Sequence, residues 1–227
     1  MQSVGDTLVA RVTEVHERIA AAARASGREA SEITTIVVTK FHPAQLVRDL
    51  YALGIRHVGE NRHQEAVAKH GELAELDLTW HFIGQLQSNK ARAVAEYAHV
   101  IHSVDRLSLV SALATQQREV DVFLEINLTD VPGRGGVLPV ELEALCEAVL
   151  QVPLLKLRGV MAVAPVDEEP SRAFDRVLEY ATRVRALAPG ARDLSIGMSG
   201  DFEAAIALGA THLRIGTAIT GKRPADA

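Results

Sequence analysis

Lysine is scarce in this chain, and one lysine stands where an amine could act. Of 24 basic residues only Lys40, Lys69, Lys90, Lys156 and Lys222 are lysine. Lys40 closes the β-branched run ITTIVVTK (33–40) and shares side-chain phase with Ile36 and Val38. An amine withdrawn from water has a lowered pKa and more free base, as attack on a carbonyl requires. Taken alone, such a lysine could equally snorkel at a strand end. Lys156 lies near the start of its own run and reads as solvated.

A second group of residues could hold an anion. SIGMSGD (195–201) runs through Gly197, Ser199 and Gly200 into a helical pattern. RIGTAITGKR (214–223) supplies Gly216, Thr217 and Gly221, with Arg214 just before them. Small residues let backbone N–H groups approach an anion, and hydroxyls add donors. Either loop alone is an ordinary turn; the two together suggest a phosphate clamp.

These residues need a scaffold. β-rich runs at 33–40, 56–59, 78–84, 99–104, 121–128, 154–163, 193–198 and 211–216 alternate with helical patterns. The helices are expected at 4–25, 43–53, 61–76, from Ser88, from Asp105, at 139–150, 168–188 and from Asp201. Val4, Leu8, Val12, Val15 and Ile19 give the first its apolar stripe. Eight such units predict a single (β/α)8 TIM barrel of α/β class, spanning 1–227, with an extra N-terminal helix. Its strands should be apolar on both faces. A doubly wound open sheet is disfavoured, because TKFHPA after the first strand holds no glycine. Barrel chemistry sits at the C-terminal ends of strands, often with phosphate on the last two loops. The first strand neighbours the eighth, so one ligand bearing a phosphate and an aldehyde could span Lys40 and the clamp. Pyridoxal 5′-phosphate (PLP) fits that description, and so does a sugar phosphate held by a lysine aldolase.

The chain resembles the YggS/PROSC family of PLP homeostasis proteins. The resemblance rests on VVTKFHP (37–43), VGENRHQEA (58–66), WHFIGQLQSNK (80–90), IHSVD (101–105), RGGV (134–137), RGVMAV (158–163) and the run 195–223. It implies a barrel like the N-terminal domain of alanine racemase, with PLP as a Schiff base on Lys40. It implies a phosphate site at Ser199, Gly216 and Thr217, and Arg214 near the pyridine nitrogen or phosphate. Asn61, His81 and Gly84 match positions lining the pocket. An arginine at the ring nitrogen cannot take up the ring proton, which weakens the electron sink. The resemblance thus implies a carrier that limits free PLP and passes it to apo-enzymes, rather than a catalyst. An amino-acid racemase is the first alternative. Its second base would have to come from inside the barrel, since only eleven residues follow Gly216. Tyr51, Tyr97 and Tyr180 all fall in predicted helices. The chain departs from many relatives at Phe41, His42, Arg62 and Thr220, which touches the substrate side of the pocket.

Composition narrows the classes further. The 227 residues are 48% hydrophobic with a formal net charge of -5, which suits a globular protein and advertises no nucleic-acid surface. No apolar run reaches the ~18 residues of a membrane helix. One cysteine, Cys146, excludes an intramolecular disulfide and suits a reducing cytoplasm. It reads as a small core residue, and the nine histidines suggest no metal site. A monomer is expected.

Overall fold

The computed structural model describes residues 4–129, 131 and 133–222. Eight parallel strands close into a barrel in chain order. They are β1 (Thr34–Val38), β2 (His57–Glu60), β3 (Thr79–Phe82), β4 (Val100–Val104), β5 (Val120–Glu125), β6 (Leu155–Met161), β7 (Asp193–Met198) and β8 (His212–Ile215). Closure is direct, with β1 pairing β8 from Thr34↔His212 to Val37↔Ile215. The barrel expectation is met.

The described helices are α1 (Val4–Ala25), α2 (Ala44–Ala52), α3 (His63–Glu72), α4 (Ala91–Tyr97), α5 (Leu107–Leu113), α6 (Leu142–Leu150), α7 (Pro170–Leu187), α8 (Phe202–Ala207) and α9 (Thr217–Thr220). Leu8, Val12, Val15 and Ile19 of α1 are buried as their spacing predicts; the side chain of Val4 lies outside the described residues. α1 lies against the final helices. Arg11 Nε donates to the Ile219 carbonyl at 2.6 Å, and Arg18 pairs with Glu203 while covering the Phe202 ring. Trp80 faces the helix layer, edge-on to His70. Cys146 is buried on α6, and burial pushes its thiol up to about 11.

Three local expectations change. Ser88 opens a separate 3-10 turn, Ser88–Lys90, and α4 begins only at Ala91. Asp105 caps no helix; its carboxylate pairs with Arg106 and accepts the Gly136 N–H, tying the β4 end to the loop after β5. β5 ends at Glu125 because its exit pairs with an incoming loop: Val137 N donates to Glu125 O at 2.7 Å.

The larger correction concerns the barrel interior, which is not apolar on all sides. His81, His102, Ser195 and Arg214 are buried on β3, β4, β7 and β8 beside Ile36, Phe123 and Met161. Such groups are tolerated in a core only when they bond one another. Here they do, in one unbroken chain described below.

Candidate functional site

The upper mouth of the barrel gathers most of the residues singled out from sequence. Lys40 follows β1 by two positions and is half-buried. Its Nζ lies 5.9 Å from the centre of the Phe41 ring. Phe41 has φ +66°, a left-handed conformation that a bulky side chain disfavours. The turn is therefore held from outside. Phe41 N–H donates to Glu65 Oε2 at 3.0 Å, and His42 N–H donates to the Thr39 carbonyl.

Thr39 points away from the mouth, into a buried ionic knot. Lys69 Nζ donates to the Thr39 carbonyl and to Glu60 Oε1, each at 2.7 Å, and Thr39 Oγ1 donates to the same Glu60 oxygen at 2.7 Å. Burial pushes the Glu60 carboxyl up, while Lys69 and Thr39 pull it back. The knot pins α3 and β2 to the residue preceding Lys40. Sequence reading did not single out Lys69 or Glu60. A signal existed: Glu60 alternates out of phase with Gly59 and Asn61, so it must enter the helix layer and needs a cation there.

Asn61 continues from β2 at the rim. Its Oδ1 is sealed from solvent and has no hydrogen-bond partner among the described residues. Gly84 makes this placement possible, because a Cβ there would stand 2.2 Å from the Asn61 carbonyl oxygen. Gly84→Ala must therefore displace the Asn61 backbone, and we expect a loss of about 1–3 kcal/mol, as for other overpacked sites. Urea unfolding checks it; unchanged stability would mean that the two loops part freely. Next to Asn61 a cavity of about 330 Å³ opens between Arg62, Phe82, Gln85 and Lys90.

The last two loops meet as the sequence suggested. Ser199 Oγ accepts the N–H groups of Gly216 and Ala218, each at 3.2 Å. Gly216 lies beside β1: a Cβ there would stand 3.7 Å from Val38 Cβ. Thr217 is exposed at the start of α9. Donors and a hydroxyl thus converge within two residues' reach of Lys40 along β1. Gly197 has φ +92°, and a Cβ there would meet Ala205 at 2.7 Å, so only glycine lets β7 turn this tightly into α8.

Arg214 and His81 lie one layer deeper. Arg214 Nη1 donates to Ser195 O and Oγ at 2.6 and 2.7 Å, and Nη2 donates to the Ala162 carbonyl at 2.9 Å. Burial lowers the guanidinium to about 10, opposed by Glu125 and Asp201, so it remains a cation at neutral pH. Both ring nitrogens of His81 are engaged, with His57 at 3.0 Å and His102 at 2.9 Å. Ser199 and Gly216 are thus joined directly, whereas Arg214 is fixed on Ser195 and Ala162 within the core and His81 lines, with His57 and His212, a cavity at the lower end of the barrel.

Glu125 is a further mouth residue that sequence reading did not select. It ends β5, and its Oε2 is sealed and without a partner among the described residues. Burial, then the nearby Asp105, raises its carboxyl to about 7, against the pull of Arg214 and Arg134. Its alternation with Asp121 and Phe123, both facing the interior, was the available signal.

The residues fit a ligand with one phosphate and one carbonyl: a Ser199 hydroxyl oriented by two N–H groups with its own proton left to donate, an amine at Lys40, and an unfilled acceptor at Asn61. Comparison with known proteins points the same way. The sequence pattern of the family described as alanine racemase, N-terminal domain, matches residues 14–224. A pyridoxal phosphate homeostasis protein of Pseudomonas aeruginosa is 43% identical over 224 residues, covering 96% of each chain. The protein of the same name from Escherichia coli K12 is 40% identical over 222 residues, covering 93% of this chain and 95% of its own. PipY of Synechococcus elongatus PCC7942, solved with PLP bound, superposes with a TM-score of 0.81 at 35% identity, covering 94% of this chain and 100% of that one. An alanine racemase from Corynebacterium glutamicum shares the fold at a TM-score of 0.69 and 17% identity, with 92% of this chain covering 61% of that one.

Proposed function

The chain belongs to the alanine racemase N-terminal domain family and to its pyridoxal phosphate homeostasis proteins, and from that membership we propose that it binds PLP at the upper mouth as an intracellular carrier. The observation that carries the reading is the convergence of Lys40 with the Ser199–Gly216–Ala218 cradle on adjoining strands.

Each residue then has a stated task. Lys40 would hold the cofactor, its amine being the group able to condense with the aldehyde, with loss of water. The strained Phe41 turn and the Thr39–Glu60–Lys69 knot hold that amine in place. The Ser199 hydroxyl, oriented by the Gly216 and Ala218 N–H groups, keeps its own proton to donate to the phosphate, and Thr217 adds a hydroxyl beside it. Asn61 Oδ1 offers an acceptor at the rim. Arg214 would present a fixed positive charge near the pyridine nitrogen or the phosphate, and His81 backs it from within the core. Bound PLP supplies a reactive aldehyde and an electron sink. A fixed guanidinium gives no proton acceptor to support full use of that sink. This favours holding the cofactor over transforming substrates with it. The carrier works as one domain and a monomer in the cytoplasm, delivering PLP to apo-enzymes; nucleic acid and membrane play no part.

The test is an absorption spectrum of the purified protein with PLP, before and after borohydride, beside Lys40→Ala. Wild type should show a yellow band that reduction bleaches, leaving the cofactor on the Lys40 peptide. Lys40→Ala should lose covalent retention entirely. A protein that stays colourless with added PLP would overturn the reading.

A further inference from the structure

The core of the barrel contains a hydrogen-bonded column that runs from its lower end to Arg214. His57 Nδ1 meets His81 Nε2 at 3.0 Å. His81 Nδ1 meets His102 Nε2 at 2.9 Å, and His102 Nδ1 meets Ser195 Oγ at 2.9 Å. Arg214 Nη1 closes the series on Ser195 Oγ at 2.7 Å. His81, His102, Ser195 and Arg214 are all buried. At the other end, His57 lines a lower cavity of about 370 Å³ with Thr34, Thr79, Asp121, Asp193 and His212.

Counting protons along this column fixes its direction. A guanidinium can only donate, so Ser195 Oγ accepts from Arg214. The serine's single proton has one acceptor among the described residues, His102 Nδ1, and goes there. A neutral imidazole has one N–H, so His102 carries it on Nε2 and donates to His81 Nδ1. His81 in turn carries its proton on Nε2 and donates to His57 Nδ1. His57 is left with Nε2–H, aimed away from the column. The reverse order would leave the buried serine proton with no acceptor among the described residues, since Arg214 can only donate and His102 Nδ1 would carry its own proton. A second proton on His81 or His102 would break a bond on one side. Burial, which holds both rings well below the ordinary imidazole value, acts in the same sense.

We propose that His57, His81, His102 and Ser195 are positioning residues that seat Arg214 beneath the cofactor mouth, and that Arg214 sets one tautomer in all three rings. The claim that the mouth above is a PLP site rests on the reading given above; the order within the column does not. The column supplies a rigid, uncharged backing, so the positive charge stays on Arg214 and is not shared with the core. It also links two ends of the barrel. Were Arg214 to lose its donor role, the whole column could reverse, and His57 would present a lone pair instead of an N–H to the lower cavity.

Long-range proton–nitrogen NMR correlation of the imidazoles tests this in the cofactor-free protein. His57, His81 and His102 should each show a protonated Nε2 and a bare Nδ1. Arg214→Met should abolish the single-tautomer pattern at all three rings, including the distant His57, while Arg214→Lys, which keeps a donor, should retain it. A protonated Nδ1 on His102 in the wild-type protein would overturn the proposal without any variant. So would an Arg214→Met protein with unchanged tautomers at His81 and His57. Loss of PLP binding with the column intact would instead refute the cofactor reading alone.

Discussion

Lys69→Met should destabilise the protein by about 3–5 kcal/mol, the usual cost of removing one partner from a buried ion pair. Lys69 is 7% exposed and Glu60 1%, so no solvent can replace the lost ammonium. The variant strands a carboxylate that already has one unpartnered oxygen, and it also removes a donor from the Thr39 carbonyl. Urea unfolding at neutral pH measures the loss. The double change Lys69→Met with Glu60→Met should recover much of it, because well-packed apolar residues often replace a buried pair at little net cost. A single variant as stable as wild type would show that the knot does not hold the Lys40 turn. The functional consequence follows from geometry. Thr39 precedes Lys40, and Phe41 keeps its positive φ only while its surroundings enforce it. Lys69→Met should therefore also slow covalent capture of PLP by Lys40.

The second large effect is pH-dependent. The Glu125 carboxyl, ordinarily near 4.5, is raised to about 7 in the folded protein by burial. The folded state therefore binds a proton more tightly than the unfolded chain. This contribution to stability is fully present below about 4.5, and it is lost as pH rises through about 7. The difference of roughly 2.5 pH units corresponds to about 3 kcal/mol. Glu125→Gln removes the titration. At about pH 8 the variant should be more stable than wild type by up to about 3 kcal/mol, and at about pH 4 the two should converge. Urea midpoints across that range check the prediction; a constant difference at every pH would sink it. Near neutral pH Glu125 can therefore carry a proton and serve as a hydrogen-bond donor at the end of β5.

Much of this architecture is legible in the sequence for a physical reason. Parallel strands covered by helices need apolar runs at regular spacing, and eight such runs leave few alternatives to a closed barrel. The Ser199 and Gly216 loops were readable only as a pair, because each alone is an ordinary turn and the barrel order places the two side by side. The N-terminal helix was readable from its stripe. The polar core was not. His81, His102, Ser195 and Arg214 lie far apart in sequence, and nothing in any one strand says that its polar residue will meet the others. Their compatibility is a property of closure: the rings become neighbours only when the strands carrying them share one interior. The Lys69–Glu60 pair failed to stand out because each residue looks like an ordinary helix or strand-end charge. Glu125 was hidden by the longer strand expected at 121–128, which placed it mid-strand instead of at the mouth.

The closure of β1 on β8 also sets an order of events in time. Lys40 follows the first strand of the barrel in chain order, and Ser199 and Gly216 follow the last two. The amine is therefore synthesised long before the cradle that completes its site. Contacts so distant in sequence form late and slow folding, because the intervening loop must close first. A nascent chain thus displays Lys40 without any means of gripping a phosphate, and ligand capture becomes a report that synthesis has reached β8. Binding selects finished molecules, and adding ligand after translation should stabilise them by mass action without speeding the rate-limiting closure.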